Sequence, residues 1–544
     1  MLARCVARAC CAPRAASSTR GSGSRAEPPS RRVRALCAGA TSATDPVDFD
    51  AGAGVAAAES AAAARAASVL SWAIERGARV DKVRVDDSES AEGDGLLLNC
   101  AVDDGEIIAS LPPELALTLG GGQCQAAALI SGAVEDDSLW AVGLAAELML
   151  LRARVAAVEK ADAKGDELPP SEANRAAREW ATYVQALPAS VPTSPLFFDR
   201  KELASLQYPP VSAEVERRFE YLRGFMYETV QPLAVASGTL PPDGLRLDAL
   251  GWAFSIVSSR AHRIGGTDSP GALLPVLDVA NHSASPNARL AKSPASGEYQ
   301  LVATAAIAAG DEVTVSYGPL GNDELVLDYG FMQAQGNAHD VVQIWLGMPL
   351  LEAGAAKARE LGLTGAEALP ESVDAECTRE PWRRAALTRC GVQKRAAPAR
   401  LGLGGVGDNK LLEAAGVVAA RSEASLGDPS DAEDAAAAAL VTGMAAAVES
   451  CFGTTLEEDQ SVVDTLDAGV ARLSPNQALA VRFRLAKKRL LRAYAAAHGA
   501  PAPEVGASKA VVMPPVQAPG EAAAPVRRRR RRATQWPKVG GGEE

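Results

Sequence analysis

Two short stretches decide how this chain is read. The first is Leu277-Asp278-Val279-Ala280-Asn281-His282-Ser283-Ala284-Ser285-Pro286-Asn287. The second, about thirty residues on, is Gly310-Asp311-Glu312-Val313-Thr314-Val315-Ser316-Tyr317-Gly318, which runs into Asn322-Asp323-Glu324-Leu325 and then Leu327-Asp328-Tyr329-Gly330-Phe331. Trp252-Ala253-Phe254 and Ser259-Arg260 precede them. Far upstream stands Glu92-Gly93-Asp94-Gly95, ahead of the apolar run Leu96–Cys100. Its two glycines let backbone approach a ligand closely. A plain turn is the competing reading, and the helix that a dinucleotide fingerprint requires does not follow.

Around these stretches the hydrophobic period changes twice. Residues 56–77 fit a helix closed by Gly77. Val80–Val85, Gly95–Cys100 and Glu106–Leu111 are short apolar runs separated by glycines, a small-strand pattern. Residues 125–262 take helical spacing, through Leu144, Leu148, Leu151, Trp180, Tyr183 and Leu187, with further helices over 213–235 and 246–260. Strands return at Leu273–Leu277, Tyr299–Thr304 and Val313–Tyr317, the last two joined across a Gly310-Asp311 turn. From about 340 to 498 the chain reads helical. Its last helix starts at Ser474 as N-cap with Pro475 at the first position, and sets Leu479, Val481, Phe483, Leu485, Leu490 and Leu491 against a Lys/Arg face.

Composition bounds the function. The hydrophobic share is 47%, yet aromatics are 4% and alanine is abundant, so a core must lean on Leu and Val. A net charge of −12 argues against a surface built for nucleic acid. The nine cysteines form no CxxC pair and there are four histidines, so no metal site is expected, and the scatter suits a reducing compartment. No apolar run reaches the ~18 residues of a membrane helix, and the alanine-rich 435–448 reads as a soluble helix. Residues 1–45 are Arg-, Ser- and Ala-rich, with Glu27 the one acid before Asp45, the composition of an organellar transit peptide. Residues 499–544 are Pro/Ala/Gly-rich with a run Arg527–Arg532, and disorder is expected there.

The ordered pair of motifs, NHSxxPN followed by GDExxxxYG, resembles the SET-domain methyltransferases, in which the two segments form a pseudoknot. The similarity is to the Rubisco large-subunit methyltransferase group, which includes protein-histidine methyltransferases of actin. It rests on the long insert at about 111–250, on Trp180-Ala181-Thr182-Tyr183 with Leu187-Pro188, on Leu327–Phe331, and on the basic helix Leu479–Arg492. The resemblance implies an α+β chain: a small-sheet SET fold over 56–335, interrupted by the helical insert, then an all-helical substrate-binding domain over 336–498. Ala284 stands where many histone-directed members carry cysteine, no cysteine cluster follows Phe331, and Arg263 lies one position closer to Arg260 than the pattern has it.

What the resemblance implies for the site is specific. S-adenosylmethionine is the cofactor, with Glu92, Gly93 and Asp94 covering one side by backbone. Arg260 forks to its carboxylate, Asn281 holds its amino-acid end, and His282 meets the adenine through backbone groups. Tyr317 puts its hydroxyl nearest the methyl, and Tyr329 lines the lysine channel. Asp278 either orients the substrate or is an ordinary strand-end carboxylate. The expected partner is a folded plastid protein presenting a lysine, of the Rubisco large-subunit or aldolase class, and the enzyme is expected to be a monomer with no membrane or nucleic-acid partner. A protein-histidine methyltransferase of the same fold and a non-catalytic docking module are the alternatives. The expected address is the chloroplast stroma, with mitochondrion or nucleus as alternatives, the latter through Arg527–Arg532. A fluorescent fusion of the full chain is expected in plastids, and one lacking residues 1–44 outside them; full-length protein in the nucleus would refute the plastid address.

Overall fold

The computed structural model describes residues 65, 67–87, 94–120, 140–237, 245–264, 269–333, 336–392 and 396–499. Residues 1–45, expected to be a transit peptide, Glu92, Gly93 and the Arg527–Arg532 run therefore lie outside the described residues. Residues 67–75 are helical, and the chain leaves that helix at Gly77, whose φ of +91° costs little only for glycine.

Strands β1 (Val83–Asp87) and β2 (Asp94–Leu98) pair antiparallel. β3 (Ile107–Leu111) and β4 (Leu117–Thr118) follow. Beyond the insert come β5 (Ala261–His262), β6 (Ala272–Leu273), β7 (Asn281–His282), β8 (Ala288–Lys292), β9 (Tyr299–Ala303) and β10 (Thr314–Val315). The sheets have the orders β3-β9-β8 and β4-β6-β5, and β7 lies parallel to β10. Strands from before the insert thus pair with strands from after it, which closes the two halves into one fold.

Leu and Val do fill the core: Leu96, Leu98, Leu111, Leu117, Leu144 and Leu148 are fully buried. The insert carries α1 (Trp140–Lys164), α2 (Glu172–Ala186), α3 (Arg200–Ser205), α4 (Pro209–Phe225), α5 (Gln231–Ser237) and α6 (Leu247–Arg260). Ser171 caps α2 by accepting from the Asn174 N–H at 3.2 Å. The Trp180 and Tyr183 rings then pack with Trp72 of the first helix, at 5.6 Å for the two indoles and 6.0 Å for Trp180–Tyr183.

Three expectations need correction. Leu273–Leu277 is not a strand: only Ala272–Leu273 pairs, because Val276 turns the chain at φ +73° into a single 3-10 turn, Leu277–Val279. Tyr299–Thr304 and Val313–Tyr317 do not pair across their turn; β9 sits between β3 and β8, while β10 joins β7. The C-terminal region is not wholly helical. β11 (Val341–Leu346) and β12 (Ala397–Gly402) form an antiparallel ribbon, the first rich in the β-branched and aromatic residues that suit one.

Helices α7 (Asn322–Glu324), α8 (Met348–Glu360), α9 (Val373–Arg379), α10 (Pro381–Arg389), α11 (Lys410–Ala419), α12 (Asp431–Glu449), α13 (Leu456–Asp467) and α14 (Pro475–His498) complete the described chain. The alanine-rich α12 crosses α8 closely. A Cβ on Gly443 would lie 2.1 Å from the Gly354 carbonyl oxygen, so small side chains are what the crossing requires.

α14 starts as expected, with Ser474 accepting from Gln477 N–H and Pro475 in the first turn. Its basic face does not simply look outward. Lys487 and Lys488 are fully buried, and Arg484 is nearly so. Asp459 of α13 takes Arg484 at 2.9 and 2.6 Å and Lys488 at 2.5 Å. Burial alone would raise this carboxyl; the hydrogen bonds from Arg484 and Lys488 outweigh it and hold the group below its ordinary range. Asp459→Ala would strand two buried cations, and a loss of about 3–5 kcal/mol is expected. Urea denaturation measures it, and a loss below ~1 kcal/mol would contradict the arrangement.

Candidate active site

The site grows from the pairing of β7 with β10, which sets Asn281 beside Thr314 and His282 beside Val315. Asn287 laces the same two segments, accepting from Thr314 N–H and donating to the Glu312 carbonyl, each at 2.8 Å. Asn281 Nδ2 donates to Glu312 Oε1 at 2.8 Å. On its other side the Gly310–Val313 segment bonds β2: Val313 N–H donates to Leu96 O at 2.7 Å and Leu98 N–H to Asp311 O at 3.0 Å. β2, whose backbone Asp94 opens, is thereby brought to the later motifs across the insert. Of the upstream triplet, Glu92 and Gly93 lie outside the described residues, and only the backbone of Asp94 is described.

Tyr317 follows β10. Its N–H donates to His282 Nδ1 at 3.2 Å and its hydroxyl to the Ala280 carbonyl at 3.0 Å. Its ring stacks on Tyr329 at 4.6 Å and 17°, with His282 at 5.2 Å and His262 at 6.1 Å. Phe331 closes the group edge-on to Tyr329 at 6.1 Å. A backbone N–H can only donate, so Nδ1 of His282 accepts from Tyr317. On the other ring nitrogen, Gln333 Nε2 stands 2.7 Å from His282 Nε2.

Arg260 ends α6, where a cation suits the helix C-terminus, and its Nη1 donates to the Asp278 carbonyl at 3.2 Å. Tyr183 of the insert donates to Asp278 Oδ2 at 2.6 Å. A cavity of about 310 Å³ is lined by Tyr183, Leu187, Arg260, Val276, Asp278 and Val279 among others. The structure thus brings His282, Tyr317 and Tyr329 into one cluster, sets Asn281 beside His282 in β7 with its side chain on Glu312, and places Arg260 and Asp278 on the wall of the cavity. Arg263 is directed elsewhere, with its guanidinium 5.4 Å from the Trp140 ring centre and a hydrogen bond to Ser269 O.

Two contributors were not singled out from sequence as site residues. Tyr183 was known only as part of a packing motif, yet its hydroxyl reaches the buried carboxylate. His262 lies half-buried near Tyr317, and desolvation, aided by Arg260, pushes its pKa down to about 4. No sequence signal marked it: it stands two residues past Arg260, where α6 gives way to β5.

The charges are informative. Burial pushes Tyr329 up to about 12, with Asp328 adding to it, and burial lowers His282 against an opposing backbone contact from Val315. Tyr329 and both histidines therefore stay neutral near pH 7, and neither histidine is placed as a charged acid. What faces the ring cluster is a carbonyl, hydroxyls and aromatic faces, an environment suited to a cation.

Asp278 is pushed up to about 6 by burial, with Arg260 and the Tyr183 hydroxyl pulling the other way. A carboxyl raised in the folded state contributes stability that is whole below about pH 4 and is lost as pH rises through 6. Between pH 4 and 7 the native protein is expected to lose on the order of 2–3 kcal/mol relative to Asp278→Asn. Denaturation curves across that range test this, and parallel pH profiles would refute it.

The SET domain family profile matches residues 93–318. Among curated proteins, the chain is 26% identical over 291 residues to the actin-histidine N-methyltransferase of Gallus gallus, covering 52% of this chain and 44% of that protein. It is 28% identical over 177 residues to the one of Rattus norvegicus, covering 31% and 29%. The chain thus matches less than half the length of these relatives. Among solved structures, one described as the SET domain of LSMT bound to lysine and AdoHcy aligns at TM-score 0.54 and 18% identity, over 80% of this chain and 90% of that one. A structure of Rubisco LSMT bound to AdoMet aligns at 0.53 and 19%, over 80% and 91%. Residues 93–318 are a SET domain, set in a chain whose small sheets and helical C-terminal region follow the LSMT architecture.

Proposed function

We propose that the chain is an S-adenosylmethionine-dependent protein-lysine N-methyltransferase acting on a folded plastid protein, of the Rubisco large-subunit or aldolase class. The carrying observation is the Tyr317 hydroxyl, held by the Ala280 carbonyl inside a ring cluster of neutral groups. The cofactor supplies a methyl on a sulfonium cation. Arg260 and Asn281 would hold its amino-acid end, His282 its adenine by backbone groups, and the backbone of Glu92, Gly93 and Asp94 its far side. The 310 Å³ cavity with Arg260 on its wall fits a carboxylate-bearing ligand of this kind.

Methyl transfer needs alignment and oxygen atoms around a moving cation more than it needs a strong acid. The oxygens of Ala280 and Tyr317 serve that role, and Tyr329 walls the acceptor channel. A free lysine, with a pKa of ~10.4, is mostly charged at neutral pH, so the channel must strip water from it to favour the neutral amine. An alkaline stroma favours the same form, and the N-terminal composition is consistent with that address. Asp278 orients the incoming segment from the cavity wall. A histidine acceptor is the second reading, favoured by the names of the sequence relatives.

Labelled methyl transfer into a stromal extract is expected with the native protein and is expected to fall at least a hundredfold with Tyr317→Phe, the order seen when one transition-state contact is lost. The rate is expected to rise from pH 7 to 9. Mass spectrometry of the product assigns lysine or histidine. Equal labelling by the variant would refute the role of Tyr317, and absence of S-adenosylmethionine binding by calorimetry would leave a docking module instead.

A further inference from the structure

Tyr183 of the insert reaches the site, yet neither the cofactor contacts nor the methyl-transfer step gives it a role. Its ring is fixed from two sides. It stacks on Trp72 at 6.5 Å and 17°, and it meets Trp180 edge-on at 6.0 Å. Trp72 is itself tied to α2, through a hydrogen bond from its Nε1 to the Glu179 carbonyl at 2.9 Å. The ring so held delivers its hydroxyl to Oδ2 of Asp278, at 2.6 Å. Both residues are buried, and burial, with the carboxylate beside it, pushes the phenol well above its ordinary range. The hydroxyl therefore keeps its proton and donates. The main chain of Asp278 is held separately: its N–H donates to Leu274 O at 2.9 Å, and its carbonyl accepts from Arg260 Nη1 at 3.2 Å. Among the described residues, Tyr183 is the side-chain donor that fixes the carboxyl.

We infer that Tyr183 is a positioning residue, whose hydroxyl holds the Asp278 carboxyl in place on the cavity wall and thereby ties the helical insert to the methyl-transfer site. This rests on the methyl-transfer reading for its purpose, though not for its geometry. Packing alone does not call for the pair, because an apolar pair of the same size would fill the space without the cost of burying a carboxyl. The place of the pair supplies the reason. Tyr183 and Asp278 both line the 310 Å³ cavity. The other charged groups of that lining are Arg260, which ends α6, and Arg65, ahead of the first helix, while β1 and the 3-10 turn contribute Val85, Val276 and Val279. Asp278 is thus the acid among the described lining residues. An ionised carboxylate there attracts an ammonium or sulfonium group, and a protonated one does not. Proximity alone does not establish coupling, so the test must measure it.

The test uses the full chain with 13C-labelled aspartate carboxyls, beside calorimetry with S-adenosylmethionine. Burial raises the native Asp278 carboxyl to about 6, with Arg260 and the Tyr183 hydroxyl opposing it. Tyr183→Phe keeps the ring between the two indoles and removes only the donor. Its Asp278 resonance is expected to titrate about one pH unit higher, a roughly tenfold drop in the ionisation constant. S-adenosylmethionine affinity is expected to fall with the ionised fraction, to about a fifth of native at pH 6 and about half at pH 7, with the two profiles meeting above about pH 8. A loss of packing would lower affinity alike at every pH, so a gap independent of pH would overturn the inference. In Asp278→Asn the carboxyl is gone, and adding Tyr183→Phe is expected to change affinity no further. Fluorotyrosine in place of tyrosine leaves the chain intact and makes the hydroxyl a stronger donor, so it is expected to move the Asp278 midpoint down. That arm decides the matter if Tyr183→Phe does not fold. An unmoved Asp278 midpoint in either protein would overturn the inference. If the native protein binds no S-adenosylmethionine, the methyl-transfer reading falls, while the aspartate titration still decides whether Tyr183 holds the carboxyl.

Discussion

Everything at the site depends on two residues of β7 lying parallel to two residues of β10. Parallel neighbours cannot be joined by a tight turn, so the intervening chain must leave and return. Here it leaves as β8 and β9, which add to β3, and returns through the Gly310 turn along β2. The pairing is too short to hold itself by backbone bonds. Asn287 and Asn281 hold it, through the Glu312 carbonyl, the Thr314 N–H and the Glu312 carboxylate. Side-chain amides do the work of missing strand length, which is why the motifs are dense in Asn and acidic residues where ordinary strands would carry Val and Ile.

A second constraint is buried charge. α14 sends Arg484, Lys487 and Lys488 inward, each met by a carboxylate from another element: Asp459 for the first and third, Asp323 and Asp340 for the second. Such pairs tolerate little displacement, because an unpaired buried ion costs several kcal/mol. The long aliphatic stems cover apolar surface on the way in. The C-terminal helices are thereby keyed to the Asn322 segment by charge and geometry as well as by apolar area. Small side chains play the matching part where α8 meets α12, since Gly354 and Gly443 let the two backbones touch.

Much of this could be read along the chain. The helices announced themselves by period and caps, as with Gly77 and Ser474. The paired motifs announced the site because their residues are unusual for strands. Harder to read were elements that exist only through a partner. Val341–Leu346 is a strand because Ala397–Gly402 lies beside it, and the latter carries almost no strand signal of its own. Leu273–Leu277 looks like a strand in composition, but Val276 at positive φ breaks it, and nothing in Leu-Leu-Pro-Val-Leu marks that turn. Lys487 and Lys488 looked like solvated basic residues because charge is read by type, and burial depends on what stands opposite.

By itself, then, the sequence determined the local alphabet: which stretches are helical, where they start and stop, and which residue types carry the chemistry. These follow from short-range sterics and hydrogen bonding, which act within a few residues. Only the tertiary structure decided which of those residues meet. It put Tyr183 of the insert on Asp278, His262 on Tyr317, and Lys487 on the acids beside the motif. Those contacts span large sequence separations, and their existence depends on how β3, β4 and β2 close against strands from beyond the insert. No window of neighbouring residues contains that information, because the energy that selects it comes from burial and pairing summed over the whole fold.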